Sequence, residues 1–208
     1  MDNHRIIALT GGVGSGKSRI LELLKKEFGA GIIQTDHVAK QLEEPGQAGF
    51  EGLVKAFGEE IVGGDGRLKK DVLARLVFED EEARNTVNGL IHPLVWEQVQ
   101  ALALAAVKTH WLVVAESALV LENPDDFFHE IWYVYTAKNE RIQRLIKSRG
   151  YSEKRCLKMM DGQPSEEEYR RCADFVIDNS GSMEDVTGQI RGKLGITPAE
   201  RGSVVRDN

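Results

Sequence analysis

The sequence predicts an α/β fold in three layers, a five-stranded parallel sheet between helices, with a helical insertion on one edge. Three observations predict it. Short apolar runs at Arg5 to Leu9, Gly31 to Thr35, Trp111 to Ala115, Ile131 to Tyr135 and Phe175 to Ile177 are separated by stretches of helical periodicity, the alternation that builds a parallel sheet covered on both faces. After the first run and Thr10 come Gly11, Gly12, Val13, Gly14, Ser15, Gly16, Lys17 and Ser18, a G-x-x-x-x-G-K-S stretch, and then a helical pattern. The runs also end in polar residues (Thr10, Gln34 to Asp36, Glu116, Thr136, Asp178 to Asn179), at the strand ends where such sheets hold ligands.

The glycine-rich stretch reads as a phosphate-binding loop. Its glycines let backbone N–H groups turn inward around a β-phosphate, Lys17 reaches the β- and γ-phosphates, and the Ser18 hydroxyl is placed for Mg²⁺. The helix that begins Ser18, Arg19, Ile20 adds the partial positive charge of its N-terminus, so Gly11 to Arg19 form the expected ATP site. A glycine-rich turn that happens to contain Lys-Ser is the alternative; the strand before and the helix after speak for nucleotide binding.

At 208 residues the chain can bury one sizeable core and carry one modest insertion. No apolar run is long enough to span a bilayer, and Met1, Asp2, Asn3, His4 and Arg5 lead directly into the first strand, so a cytoplasmic protein is expected. Cys156 and Cys172 lack metal or redox spacing and read as reduced thiols. A formal net charge of −6 argues against a nucleic-acid or anionic-membrane binder. Positive charge is gathered locally instead: Lys138, Arg141, Arg144, Lys147, Arg149, Lys154, Arg155 and Lys158 share a stretch whose only acids are Glu140 and Glu153. A solvated helix face is one reading; a clamp over nucleotide phosphates better explains why an acidic protein collects its cations there.

Asp36 closes the second strand at the reactive edge. Its carboxylate either caps the next helix, whose pattern begins at Val38, or takes a proton from a substrate hydroxyl. His37 faces solvent or caps locally. About seventy residues without a strand follow, far more than a crossover needs, and predict a substrate-binding insertion at 37–110. Its helices are expected at Ala48 to Phe57, Leu68 to Phe78, Glu81 to Leu90 and Pro93 to Thr109, with a turn at Gly63, Gly64, Asp65 and Gly66. Arg84, Asn88 and His92 recur every four residues and share a helix face until Pro93 breaks the pattern; His92 alone reads as a structural hydrogen bond at the helix end.

Glu116, ending the third strand, is either a Mg²⁺-shell carboxylate, usually Asp in such sites, or a plain polar terminus. Leu119, Val120 and Leu121 read as a wall. Residues 138–168 are expected to form a basic lid: a helix with Gln143, Arg144 and Leu145 ending at Arg149 and Gly150, then a mobile flap made of a helix from Ser152 to Gln163 and the acidic run Glu166, Glu167 and Glu168. Asn179 opens a loop that could pack on a purine, and 197–208 read as a polar tail. The nucleotide core is therefore 1–36 with 111–196.

These landmarks resemble the dephospho-coenzyme A kinase family along nearly the whole chain. The resemblance is carried by Leu9 to Ser18, Asp36, Glu44-Pro45-Gly46, Phe57-Gly58, Asp65-Gly66 with Leu68, Val77-Phe78, Arg84, Asn88 and Ile91-His92-Pro93. It continues through Leu119, Glu122, Arg144-Leu145, Arg149, Gln163, Ala173-Asp174 and Val176-Ile177-Asp178-Asn179. The phosphate loop is common to many nucleotide-binding proteins, whereas the His-Pro step and the Asp-x-Val-Ile-Asp-Asn ending are more particular.

The resemblance implies a P-loop kinase fold and transfer of the γ-phosphoryl group of ATP to the ribose 3′-hydroxyl of dephospho-coenzyme A. By the same analogy Asp36 is the base, Lys17 and Arg149 stabilise the transferring group, Ser18 helps hold Mg²⁺, and the insertion, with Arg84 and His92, cups the substrate. This chain has Gln34-Thr35-Asp36 where the family usually has Asp-Ala-Asp, Arg19 in place of Thr, and Glu116-Ser117-Ala118 in place of Asp-x-Pro. Those departures motivate a second reading, a degenerate ATP-binding homologue with a regulatory role. A third keeps the fold and changes the acceptor to another nucleoside-like alcohol. A GTPase switch is disfavoured, because no Asn-Lys-x-Asp stretch occurs.

Overall fold

The computed structural model describes residues 4–117 and 127–196. Leu119, Val120, Leu121, Glu122 and the tail at 197–208 lie outside the described residues. In chain order the elements are β1 Arg5–Thr10, α1 Lys17–Phe28, β2 Gly31–Gln34, α2 Thr35–Leu42, α3 Ala48–Phe57, a single 3-10 turn at Glu59–Ile61, α4 Lys70–Glu79 and α5 Glu81–Ala106. They continue with β3 Leu112–Glu116, β4 Glu130–Tyr135, α6 Lys138–Arg149, α7 Glu153–Asp161, α8 Glu166–Cys172, β5 Phe175–Asp178 and α9 Met183–Leu194. Two compact units result, Gln34–Leu104 and the remainder of the chain.

In the first unit the five strands form one parallel sheet in the order β2-β3-β1-β4-β5. β1 is central: Leu9 pairs with Glu116 of β3 on one side and Trp132 of β4 on the other. One face buries Ile7, Leu9, Leu112, Val114, Trp132, Val134 and Ile177 against Ile20, Leu24 and Phe28 of α1 and Val186 and Ile190 of α9. The opposite face carries Tyr133, whose ring stacks on Tyr169 of α8 at 4.9 Å and 8°. Helices thus cover both faces, which is why the strands read as apolar runs rather than as alternations. The α6–α7 hairpin has its own small core of Ile142, Leu145, Cys156 and Met160, against which Val13 of the glycine-rich loop packs.

The second unit is helical, with Leu53, Ile61, Ala83, Val95 and Val99 buried. Gly66, at φ 75°, turns the chain between Val62 and Leu68, which form an antiparallel bridge.

Two expectations need correction. α5 does not stop at Pro93 but runs through it from Glu81 to Ala106. The proline leaves the Gly89 carbonyl without its usual partner, at a cost of about 3 kcal/mol. Burial of Ala83 and Ile91 before it and Val95, Trp96, Val99 and Ala103 after it holds the helix together. α2 begins at Thr35, three residues before the predicted pattern, because Thr35 is buried with Val38 on the same face. The acidic run Glu166 to Glu168 is the first turn of α8, closed by a capping box between Ser165 and Glu168. Acids there complement the helix dipole, which suits them to a helix start.

Candidate active site

α1 opens at the glycine-rich loop. Its N-cap is Gly16, at φ 91° and ψ 19° in the left-handed region, and no side chain caps it. A Cβ there would collide with the Asn179 amide nitrogen, so glycine is required by both conformation and space. The first turn of α1 holds no acid, which leaves its amides and dipole available to an anion. Lys17 Nζ donates to the Gly11 carbonyl at 2.7 Å and lies 3.8 Å from Glu116 Oε1. Ser15 Oγ is buried without a hydrogen-bond partner among the described residues, as is Thr10 Oγ1. An unpaired buried hydroxyl is costly, and a phosphate oxygen in the loop is the kind of acceptor Ser15 lacks.

Behind the loop, α6 and the end of β5 converge. Arg144 donates to the Ser15 carbonyl at 3.4 Å, to Thr136 Oγ1 at 3.3 Å and to the Asn179 carbonyl at 2.8 Å. Buried Asn179 donates its side-chain amide to the same Ser15 carbonyl at 2.7 Å, and the Thr136 hydroxyl lies between that carbonyl at 3.0 Å and the Tyr135 carbonyl at 2.8 Å, with one proton to share. Asn179 and Arg144, with the Thr136 hydroxyl beside them, fix the peptide that turns the loop into α1. At the loop's tip, Arg141 Nε donates to the Val13 carbonyl at 2.8 Å, while the Val13 N–H donates to Gln163 Oε1 at 2.8 Å. The Arg141 guanidinium fills the space where a Cβ on Gly12 would stand.

The structure brings together Gly11, Gly12, Val13, Gly14, Ser15, Gly16, Lys17, Glu116, Arg144 and Asn179, all in the first unit. Ser18 and Arg19 are exposed in the first turn of α1. Arg149 stands at the exposed C-terminal end of α6, its guanidinium 6.0 Å from the centre of the Tyr151 ring. Asp36, Arg84 and His92 belong to the second unit. Asp36 is exposed in the first turn of α2 and is not its cap; that position is held by Gln34, whose side chain does not cap the helix. Arg84 pairs with Glu81 on its own helix at 3.3 Å, and His92 is half-buried in α5.

From the sequence Arg141 reads only as one of the local cations, Gln163 only as a helix end and a residue of the resemblance, and Thr136 only as a strand end. A signal was present for the first: Arg141 lies three residues before Arg144 on one helix, so both project from neighbouring positions. A cleft of about 430 Å³ beside this clamp is lined by Tyr133, Thr136, Lys138, Arg141, Gln163 and Glu166, among others. Burial pushes the Tyr133 phenol up to about 12, aided by the nearby Glu166 carboxylate, and burial likewise raises Tyr169. In the second unit a cleft of about 310 Å³ is lined by Lys40, Glu43, Glu44, Asp65, Arg67 and Lys70. Arg67 and Glu44 pair there at 2.7 Å, and burial raises the Glu43 carboxyl despite Lys70 and Lys40.

Among the described residues no group of three or more His, Cys, Asp or Glu side chains could hold a metal ion, and no helix is long and apolar enough to cross a membrane. A phosphate loop of this shape, at the end of a central parallel strand and backed by arginine, defines a P-loop nucleotide-binding protein. Comparison with known proteins narrows the class. A model of the dephospho-CoA kinase family matches residues 5–185, and the chain belongs to that family.

A dephospho-CoA kinase of Corynebacterium glutamicum is 36% identical over 187 residues, covering 89% of this chain and 95% of that one. One from Synechocystis is 33% identical over 188 residues, covering 90% and 93%. Among solved structures, TT1252 from Thermus thermophilus superposes with a TM-score of 0.78 at 31% identity, covering 92% of this chain and 97% of that one. Shikimate kinase from Acinetobacter baumannii, at a TM-score of 0.51, 14% identity and coverage of 93% and 95%, shares the fold. This chain is accordingly a kinase, and the five-stranded parallel α/β fold expected of a P-loop kinase is the one observed.

Proposed function

We propose that this protein transfers the γ-phosphoryl group of ATP to the 3′-hydroxyl of dephospho-coenzyme A, giving coenzyme A and ADP, the last step of coenzyme A synthesis. The single observation that carries the reading is the phosphate loop braced at the Ser15 carbonyl by Asn179 and Arg144, in a chain whose family is that of dephospho-CoA kinases. Phosphoryl transfer needs little covalent chemistry from the protein; it needs the phosphates held still and their charge neutralised.

Lys17 and the amides of the loop and of α1 supply that field, and the Ser15 hydroxyl supplies one more donor. Asp36 is assigned as the base that takes the proton of the acceptor hydroxyl, and an exposed carboxylate at a helix start is accessible to do so. Arg149 is assigned to the transferring group, Arg144 and Asn179 to the nucleotide side of the loop, and Arg84 and His92 to the acceptor. We assign Mg²⁺ to the Ser18 hydroxyl and the Glu116 carboxylate, since a hard cation that keeps its waters needs only one or two protein oxygens. Such an ion, when bound, neutralises charge between the phosphates. Two water-soluble reactants fit the cytoplasmic location expected from the sequence.

The test is a coupled assay of ADP release with ATP, magnesium and dephospho-coenzyme A, run beside a panel of nucleoside-like alcohols. Release stimulated by dephospho-coenzyme A above the panel supports the reading. ATP binding with no stimulated turnover would leave the degenerate module, and a better acceptor in the panel would change the substrate.

A further inference from the structure

The tip of the phosphate loop is held from outside. Val13 is gripped through both of its backbone polar groups: its N–H donates to Gln163 Oε1 at 2.8 Å and its carbonyl accepts from Arg141 Nε at 2.8 Å. The two grips are joined, because Arg141 also donates to Gln163 Oε1, at 3.2 Å. Two donors converge on one atom of the Gln163 amide, so that atom must be the oxygen, and what the loop requires of residue 163 is an acceptor. The loop offers no substitute for this grip. Within it, Ser15 N–H closes a turn on the Gly12 carbonyl at 3.1 Å, and Gly12 lacks a Cβ where the Arg141 guanidinium lies.

The clamp also ties two elements to the loop. Arg141 comes from α6, whose Arg144 braces the Ser15 carbonyl, and Gln163 from the turn between α7 and α8, while Val13 itself packs on the α6–α7 core.

We propose that Gln163 and Arg141 act together as positioning residues that lock the phosphate loop into its anion-binding shape, with the Gln163 carbonyl oxygen as the linking atom. The inference deepens the kinase reading and rests on it for the identity of the anion. The physical reason is preorganisation. Backbone amides bind phosphate tightly only when they need not be reoriented on binding, and a loop of four glycines between Gly11 and Gly16 would otherwise spend conformational entropy at that moment. Neither residue touches the transferred group; each acts through Val13.

The experiment uses the full chain with Gln163→Leu, which keeps the approximate size and removes the acceptor, with Arg141→Met, and with both together. Three quantities are read: hydrogen exchange of the Val13 amide in the protein without nucleotide, ATP affinity by calorimetry, and the separate KM values for ATP and dephospho-coenzyme A. Thermal midpoints check that each variant folds.

In Gln163→Leu the Val13 amide should lose its protection and ATP affinity should fall about tenfold, with the KM for ATP rising and that for the acceptor unmoved. Because the two residues act through one atom, the double variant should lose little more than either single one. Val13 exchange in Gln163→Leu equal to that of the unaltered protein, or additive losses in the double variant, would overturn the clamp. If Gln163→Leu is unstable, Arg141→Met reads the same lock, and unchanged Val13 exchange and ATP affinity in it would overturn the proposal equally. An unaltered protein with a protected Val13 amide and no coenzyme A production would sink the kinase reading and leave the clamp standing; the reverse pattern would do the opposite.

Discussion

Lys17 Nζ, at the start of α1, and Glu116 Oε1, at the end of β3, stand 3.8 Å apart, with Lys17 also anchored on the Gly11 carbonyl. The pair links the loop after β1 to the end of β3. Both side chains are about four-fifths buried, at 19% and 21% exposure, so the charge of Lys17 is partly desolvated and acts strongly on any phosphate beside it. Lys17→Ala should lower kcat by about a thousandfold in the ADP-release assay while the protein stays folded. Turnover near that of the unaltered protein would contradict the site.

Glu116→Gln should keep the length and lose the charge. If the carboxylate serves the cation, the magnesium concentration giving half-maximal turnover should rise several-fold with KM for the acceptor unchanged. An unchanged magnesium requirement would reduce Glu116 to the partner of Lys17.

Asp36 projects from the first turn of α2, beyond the end of β2. Asp36→Asn keeps the shape and removes the proton acceptor, so kcat should fall by about a hundredfold or more with ATP affinity retained. Calorimetry with ATP and a turnover assay on the same preparation separate the two quantities. Unchanged turnover would place the base elsewhere.

The layered sheet and the loop were legible because buried parallel strands read as apolar runs and because a phosphate loop needs glycine, Lys and Ser at fixed spacing. What was not legible depended on tertiary packing. Pro93 looked like a stop, and only burial of residues on both sides of it carries α5 through. The helix that starts at Glu166 is set by the capping box between Ser165 and Glu168. Gln163 gave no chemical signal of its own, since a glutamine 150 residues from Val13 can be recognised as its partner only when the fold brings the two together.

Arg144 bonds the Ser15 and Asn179 carbonyls and Thr136. Arg144→Met keeps the apolar stem and removes the donors, and should weaken ATP binding about tenfold. Acceptor KM should stay the same. A large change in acceptor KM with ATP affinity intact would move Arg144 to the other side of the reaction.

Tyr133 titrates at about 12 in the folded protein against 10.0 in the unfolded chain, chiefly because burial disfavours the phenolate. The folded state therefore holds the proton more tightly. Its contribution is fully present below pH 10 and is lost as pH rises from 10 toward 12. Tyr133→Phe should flatten stability against pH in that window relative to the unaltered protein, read by urea midpoints. Parallel curves for the two proteins would show that the phenol is not responsible.

Cys156 sits fully buried between α6 and α7 with Ile142, Leu145 and Met160, whereas Cys172 is partly exposed and neither is in a disulfide. The molecule therefore carries a reporter that no one has to install. A thiol-specific reagent should mark Cys172 promptly and reach Cys156 only when the hairpin parts, so the lag between the two modifications, followed by mass spectrometry with and without ATP, times how often that hairpin breathes.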